Sequence, residues 1–129
     1  MEPSERLDPG SLAALLDMVC ATSFDSVMIA EVGDVLGETP IVYVNKAFTE
    51  LTGYSEEEVL GTPPTFLQGP GTEREVLDRL VSDLAAGRMF EGRTVNYRKD
   101  GSPFIMNWRV VPVRSGQDTT HYLAIQRSA

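Results

Sequence analysis

One cysteine, Cys20, in 129 residues excludes an internal disulfide framework and suits a reducing compartment. One histidine, His121, leaves too few partners for a catalytic triad or a cluster of metal ligands. No apolar run approaches the ~18 residues that a transmembrane helix needs. The acidic, proline-containing start from Met1 to Pro9 lacks the basic and apolar regions of a signal peptide. Basic residues are scarce as well. Eleven Lys and Arg stand against 19 Asp and Glu, a formal net charge of −8, which repels nucleic acid and anionic membranes. Gly69-Pro70-Gly71 has neither the spacing nor the lysine of a phosphate-binding loop. Glu56-Glu57-Glu58 reads as solvated helix surface. These absences predict a soluble, cytoplasmic domain that is not an enzyme.

What is present is ordinary for a globular protein, 42% apolar and 23% charged residues, in a chain long enough for one domain with a real core. Asp8-Pro9 is a helix start, and Leu12, Leu15, Leu16 and Val19 form the stripe of an amphipathic helix to about Cys20. Residues 1–25 are therefore expected to form an N-terminal cap or dimerisation helix, and residues 26–129 the domain proper. Ser26 to Val32 and Ile41 to Val44 are β-branched runs that read as strands. A helix follows from Asn45 or Lys46 to Thr52, stopped by Gly53. Ser55 and Glu58 have the spacing of a capping box. The paired prolines Pro63-Pro64 require a shaped loop, and loops on a rigid scaffold tend to carry binding chemistry. Thr72 to Ala86 is a helix with Val76, Leu77, Leu80, Val81 and Leu84 on one face. Three strands close the chain, about Phe90 to Arg98, Pro103 to Arg114 and Thr119 to Arg127, with Asp100-Gly101 turning the first pair. Strands, then helices, then strands predict an α+β domain with an antiparallel sheet and helices on one face.

Several stretches carry a family resemblance. Val44-Asn45-Lys46-Ala47-Phe48-Thr49-Glu50-Leu51-Thr52-Gly53-Tyr54, Phe66-Leu67-Gln68-Gly69-Pro70, Asn96-Tyr97-Arg98-Lys99-Asp100-Gly101 and Tyr122-Leu123-Ala124-Ile125-Gln126 resemble, in order and spacing, the PAS superfamily. Within it they resemble the flavin-binding LOV (light-oxygen-voltage) photosensors. The resemblance covers roughly Ser26 to Arg127. It implies a PAS fold, a five-stranded antiparallel sheet with helices on one face, and a cofactor pocket for a flavin, FMN or riboflavin.

The family's site residues map onto this sequence with departures. Asn96, Gln126 and Gln68 match the amides that read the flavin ring, and Leu67 and Phe66 flank them. Met106 replaces the next-strand asparagine, while Asn107 alternates to the opposite face. Pro64 holds the position of the adduct-forming cysteine and cannot form that bond. Thr65 and Asp78 hold positions assigned to the phosphate-gripping arginines, so riboflavin is favoured over FMN. Ala124 replaces a glycine at the ring edge. The resemblance implies two readings: a cysteine-less flavoprotein sensing light or redox state through flavin reduction, with Trp108 or a tyrosine as electron donor, or a flavin-free PAS module that dimerises or takes another ligand.

Period-2 alternation puts Asn96, Met106 and Gln126 inside, and Val95, Tyr97, Ile105, Val111, Leu123 and Ile125 outside. An apolar outer face calls for cover. The expected partner is a second copy of the chain, meeting it through this face and the N-terminal helix. An effector domain or partner protein outside this chain is expected to supply the output.

Overall fold

The structure is a computed structural model that describes Met18, residues 25–33 and residues 39–129. Met18 is helical; the rest of the expected N-terminal cap helix lies outside the described residues. The described elements are β1 (Ser26–Glu31), β2 (Ile41–Val44), α1 (Lys46–Thr52), α2 (Glu56–Val59), a 3-10 turn (Pro64–Leu67), α3 (Arg74–Ala85), β3 (Phe90–Tyr97), β4 (Pro103–Ser115) and β5 (Asp118–Ser128). The strands form one antiparallel sheet in the order β2-β1-β5-β4-β3. This is the expected α+β PAS architecture, with the first and last strands side by side at its centre.

Each local element has a side-chain cause. Asn45 caps α1: its Oδ1 accepts from Phe48 N at 3.0 Å and also from Val27 N at 2.8 Å. Its Nδ2 donates to Asp25 O at 2.9 Å, so one buried amide starts the helix and anchors β1. Gly53 ends α1 at φ 78° and donates to Thr49 O, a conformation that favours glycine. The capping box at α2 forms as predicted, with Ser55 N donating to Glu58 Oε1 at 2.9 Å and Glu58 N to Ser55 Oγ at 3.3 Å. Glu58 also meets Lys99 Nζ at 2.6 Å, tying α2 to the β3–β4 hairpin. Mainly through this lysine bond, its carboxyl is lowered from 4.5 to about 2.

Helix α3 starts two residues later than the apolar pattern predicts, because Thr72 is occupied elsewhere. Its Oγ1 donates to Val95 O at 2.6 Å and accepts from Gly69 N at 3.0 Å. Glu73 N donates to Thr94 Oγ1 at 2.8 Å, and Gly71 N to the Tyr97 hydroxyl at 2.7 Å. The segment before α3 is thus clasped to strand β3.

On the inner face, Met28, Met106, Trp108, Val110 and Ala124 join Phe48, Phe90 and Leu84 in one buried core. Ile105, Val113 and Ile125 are exposed on the outer face, and Val111 and Leu123 half-buried. The outer apolar face is less continuous than the alternation predicts. Tyr97 and Val95 pack against Gly69 and Gly71 at the sheet edge, where a Cβ on Gly69 would lie 2.4 Å from the Tyr97 ring.

Candidate functional site

Between the inner face of the sheet and α3 lies a cavity of about 210 Å³, bounded at one end by the 3-10 turn. Strand alternation delivers one set of walls: Asn96 from β3, Met106, Trp108 and Val110 from β4, Tyr122, Ala124 and Gln126 from β5, Met28 and Ala30 from β1. Helix periodicity delivers the other, since Leu77, Leu80, Val81 and Leu84 share one side of α3. Pro64 at the first position of the 3-10 turn fits its fixed φ and missing N–H. That turn supplies Pro64, Thr65 and Leu67 to the lining, with Gln68 just after it.

Two buried amides reach the cavity from the sheet. Gln126, 2% exposed, accepts from Ser26 Oγ through Oε1 at 2.7 Å. Its Nε2 forms no hydrogen bond among the described residues, where no fully buried polar atom is left unpaired, so this nitrogen keeps contact with the cavity. Asn96, 4% exposed, is oriented to donate from Nδ2 to the carbonyls of Val95 and Leu67, each at 3.2 Å. The other end of the amide meets Met106 Sδ at 3.4 Å. Asn96 thereby joins β3 to the 3-10 turn and holds the turn against the sheet.

Of the residues that the sequence singles out, Asn96, Gln126, Gln68, Leu67, Met106, Pro64, Thr65 and Ala124 all meet at this cavity. Phe66 does not. Its ring packs edge-on to Tyr54, with centroids 4.8 Å apart, beside a separate depression of about 380 Å³ on the far side of the turn. Consecutive residues of a tight turn point in different directions, and Leu67 takes the cavity side.

Asp78 is also misplaced by the sequence reading. It is exposed and pairs with Arg74 at 3.5 Å, one helical turn away. Val81 stands on the lining instead. Arg79, 100° further round the helix than Asp78, donates to Glu91 O at 2.7 Å and lies over the Phe90 ring at 4.8 Å.

Ser26, Thr39 and Tyr122 escape the sequence reading. Tyr122 shares the parity of Ala124 and Gln126 on β5, a signal available in the sequence. Ser26 and Thr39 become site residues only through pairings distant in the chain.

The described residues hold no group of three or more His, Cys, Asp or Glu placed to bind a metal. No helix among them is long and apolar enough to cross a membrane.

A five-stranded antiparallel sheet and a crossing helix, flanking a mainly apolar cavity with two amides on the sheet side, define the class: an α+β domain with an internal cavity between sheet and helix. The PAS domain model matches residues 25–128, and the chain belongs to that family. Phototropin-2 of Oryza sativa subsp. japonica is 43% identical over 77 residues, 60% of this chain and 8% of that protein. Blue-light-activated histidine kinase 1 of Erythrobacter litoralis is 42% identical over 85 residues, 66% of this chain and 24% of that protein. The chain thus spans under a quarter of the length of these curated relatives. Among solved structures, an RNA-binding light-oxygen-voltage receptor superposes with a TM-score of 0.83 at 29% identity, covering 99% of this chain and 36% of that one. The LOV domain of the Erythrobacter litoralis EL346 blue-light-activated histidine kinase gives 0.74 at 31% identity, covering 81% and 94%. The chain is a PAS domain with LOV-type homologues, related to blue-light photoreceptors.

Proposed function

We propose that this domain is a cytoplasmic sensory module, without catalysis of its own, whose cavity takes the ring system of a flavin. Gln126 carries the reading. An amide nitrogen in contact with the cavity, its oxygen held by Ser26 at 2.7 Å, is a donor prepared for a ligand acceptor, and leaving it unmet costs ~1–3 kcal/mol. Asn96 stands beside it on the lining, and Leu67, Met106 and Ala124 offer apolar surface for a planar ring. A bound flavin would supply blue-light absorption and reversible reduction. The chain itself supplies oxidisable side chains at the same wall, Trp108 and Tyr122. Pro64 occupies the place of the photochemical cysteine, so sensing rests on redox change at the flavin and not on a thiol bond.

The test is an absorption spectrum of the purified protein before and after incubation with flavins and desalting. A retained, structured blue band is the expected result. A protein that stays colourless overturns the flavin reading.

A second reading has its own observations. The cavity is smaller than the ~300–1,000 Å³ common for ligand sites, Met106 brings a thioether where an amide would serve, and Ile105, Val113 and Ile125 lie exposed on the outer sheet face. In that reading the domain is a flavin-free PAS module that pairs with a second copy through this face. Under either reading an effector domain or partner protein carries the output. Light scattering of the chain, with Ile105→Glu and Ile125→Glu as disrupting variants, tests the pairing.

A further inference from the structure

We infer that the cavity selects a flavin without a phosphate, a riboflavin-type ligand over FMN or FAD; the inference rests on the flavin reading above. Its basis is where the cations lie. The strongest phosphate-recognising groups in a protein are an arginine fork, a lysine and the N-terminus of a helix. None of the ten described Lys and Arg side chains lines the cavity, and Arg6 lies outside the described residues.

On α3, the helix that covers the cavity, all the cations are turned away and engaged. Arg74 pairs with Asp78 at 3.5 Å. Arg79 is held by Glu91 O and the Phe90 ring. Arg88, just past the helix, pairs with Asp83 at 3.2 Å. The side of α3 that meets the cavity is Leu77, Leu80, Val81 and Leu84.

The helix N-terminus offers no substitute. Glu73 and Glu75 sit there, and the Glu73 N–H is already given to Thr94 Oγ1. The exposed residues on the lining are instead Thr65, Gln68 and Val81. A hydroxyl and a neutral amide can bond a polyol chain but cannot balance a phosphate dianion. The net charge of −8 adds a long-range repulsion of any anionic ligand. Val81, 48% exposed, is where an arginine on α3 would have to stand to reach the mouth.

The experiment is a fluorescence titration of the full chain with riboflavin, lumiflavin and FMN, repeated on Val81→Arg and Asp78→Arg. The native protein is expected to bind riboflavin at least as tightly as FMN, with the FMN deficit shrinking as salt screens the repulsion. Val81→Arg is expected to shift the preference toward FMN by about tenfold or more, the scale of a charge-assisted bond. Asp78→Arg, pointing into solvent, is expected to leave the preference near the native one. FMN binding more than about threefold tighter than riboflavin in the native chain overturns the inference while leaving the flavin site intact. Failure of all three flavins to bind overturns both. A shift from Asp78→Arg as large as that from Val81→Arg also overturns it, since the repulsion would then be general.

Discussion

Ser26 and Gln126 lie 100 residues apart in sequence and share a 2.7 Å hydrogen bond in the interior. They are register partners on adjacent strands, and the serine fixes which end of the glutamine amide is offered to the cavity. Ser26→Ala removes that bond. A loss of ~1 kcal/mol in unfolding free energy is expected, read from urea denaturation. Unchanged stability would mean that Gln126 finds another partner, and that its orientation is not set by Ser26.

A second prediction concerns the polar reading of the cavity. Met106→Asn combined with Ala124→Gly restores the LOV pattern at two lining positions. Flavin affinity is expected to rise about fivefold or more, the equivalent of one added hydrogen bond of ~1 kcal/mol. A fluorescence titration measures it. An unchanged affinity would mean that neither the thioether nor the added methyl limits binding.

The clasp between the loop before α3 and strand β3 gives a third. A Cβ at Gly69 would lie 2.4 Å from the Tyr97 ring, so Gly69→Ala displaces the ring at a cost of ~1–3 kcal/mol. Tyr97→Phe loses only the bond to Gly71 N and costs ~1 kcal/mol. In Tyr97→Ala the same alanine at position 69 should cost much less. A double-mutant cycle by chemical denaturation reads the difference, and additive losses would show that the two residues do not conflict.

Glu58 provides a pH dependence. Its folded carboxyl sits near 2 against an ordinary 4.5, chiefly through the Lys99 bond. A depressed folded value stabilises the protein above the unfolded value, and that contribution fades as pH falls from about 5 towards 2. Melting temperature should therefore drop more steeply over that range in the native chain than in Glu58→Gln. Parallel pH profiles would show that the pair makes no difference in solution, as happens with many exposed ion pairs.

Much of this fold is written locally. The Asn45 cap on Phe48 N, Gly53, the Ser55–Glu58 box and the Asp100-Gly101 turn each act within a few residues, and their elements stand where those residues put them. The cavity walls are legible for a related reason. Strand alternation places Asn96, Met106, Ala124 and Gln126 on one side once a single inward residue is known. What escapes is either non-local or a matter of phase. The Ser26–Gln126 pair depends on β1 lying beside β5, which no local pattern encodes. The family resemblance puts Asp78 at the position of a phosphate-gripping arginine, although the apolar stripe of its own helix runs through Leu77, Leu80, Val81 and Leu84 and leaves Asp78 off it. The family motif brings Phe66 to the site together with Leu67, whereas the tight turn separates their directions.

Both outer strands of the sheet have backbone groups already spoken for. On β3, the carbonyl of Val95 is taken by Thr72 and that of Glu91 by Arg79. On β2, Ile41 N donates to Thr62 O and Ile41 O accepts from Gly61 N, each at 2.8 Å. A foreign strand arriving at either side would have to displace these bonds before forming its own, and blocked edges of this kind guard against sheet-to-sheet polymerisation. Each edge of the ladder is therefore partly blocked against the addition of a further strand.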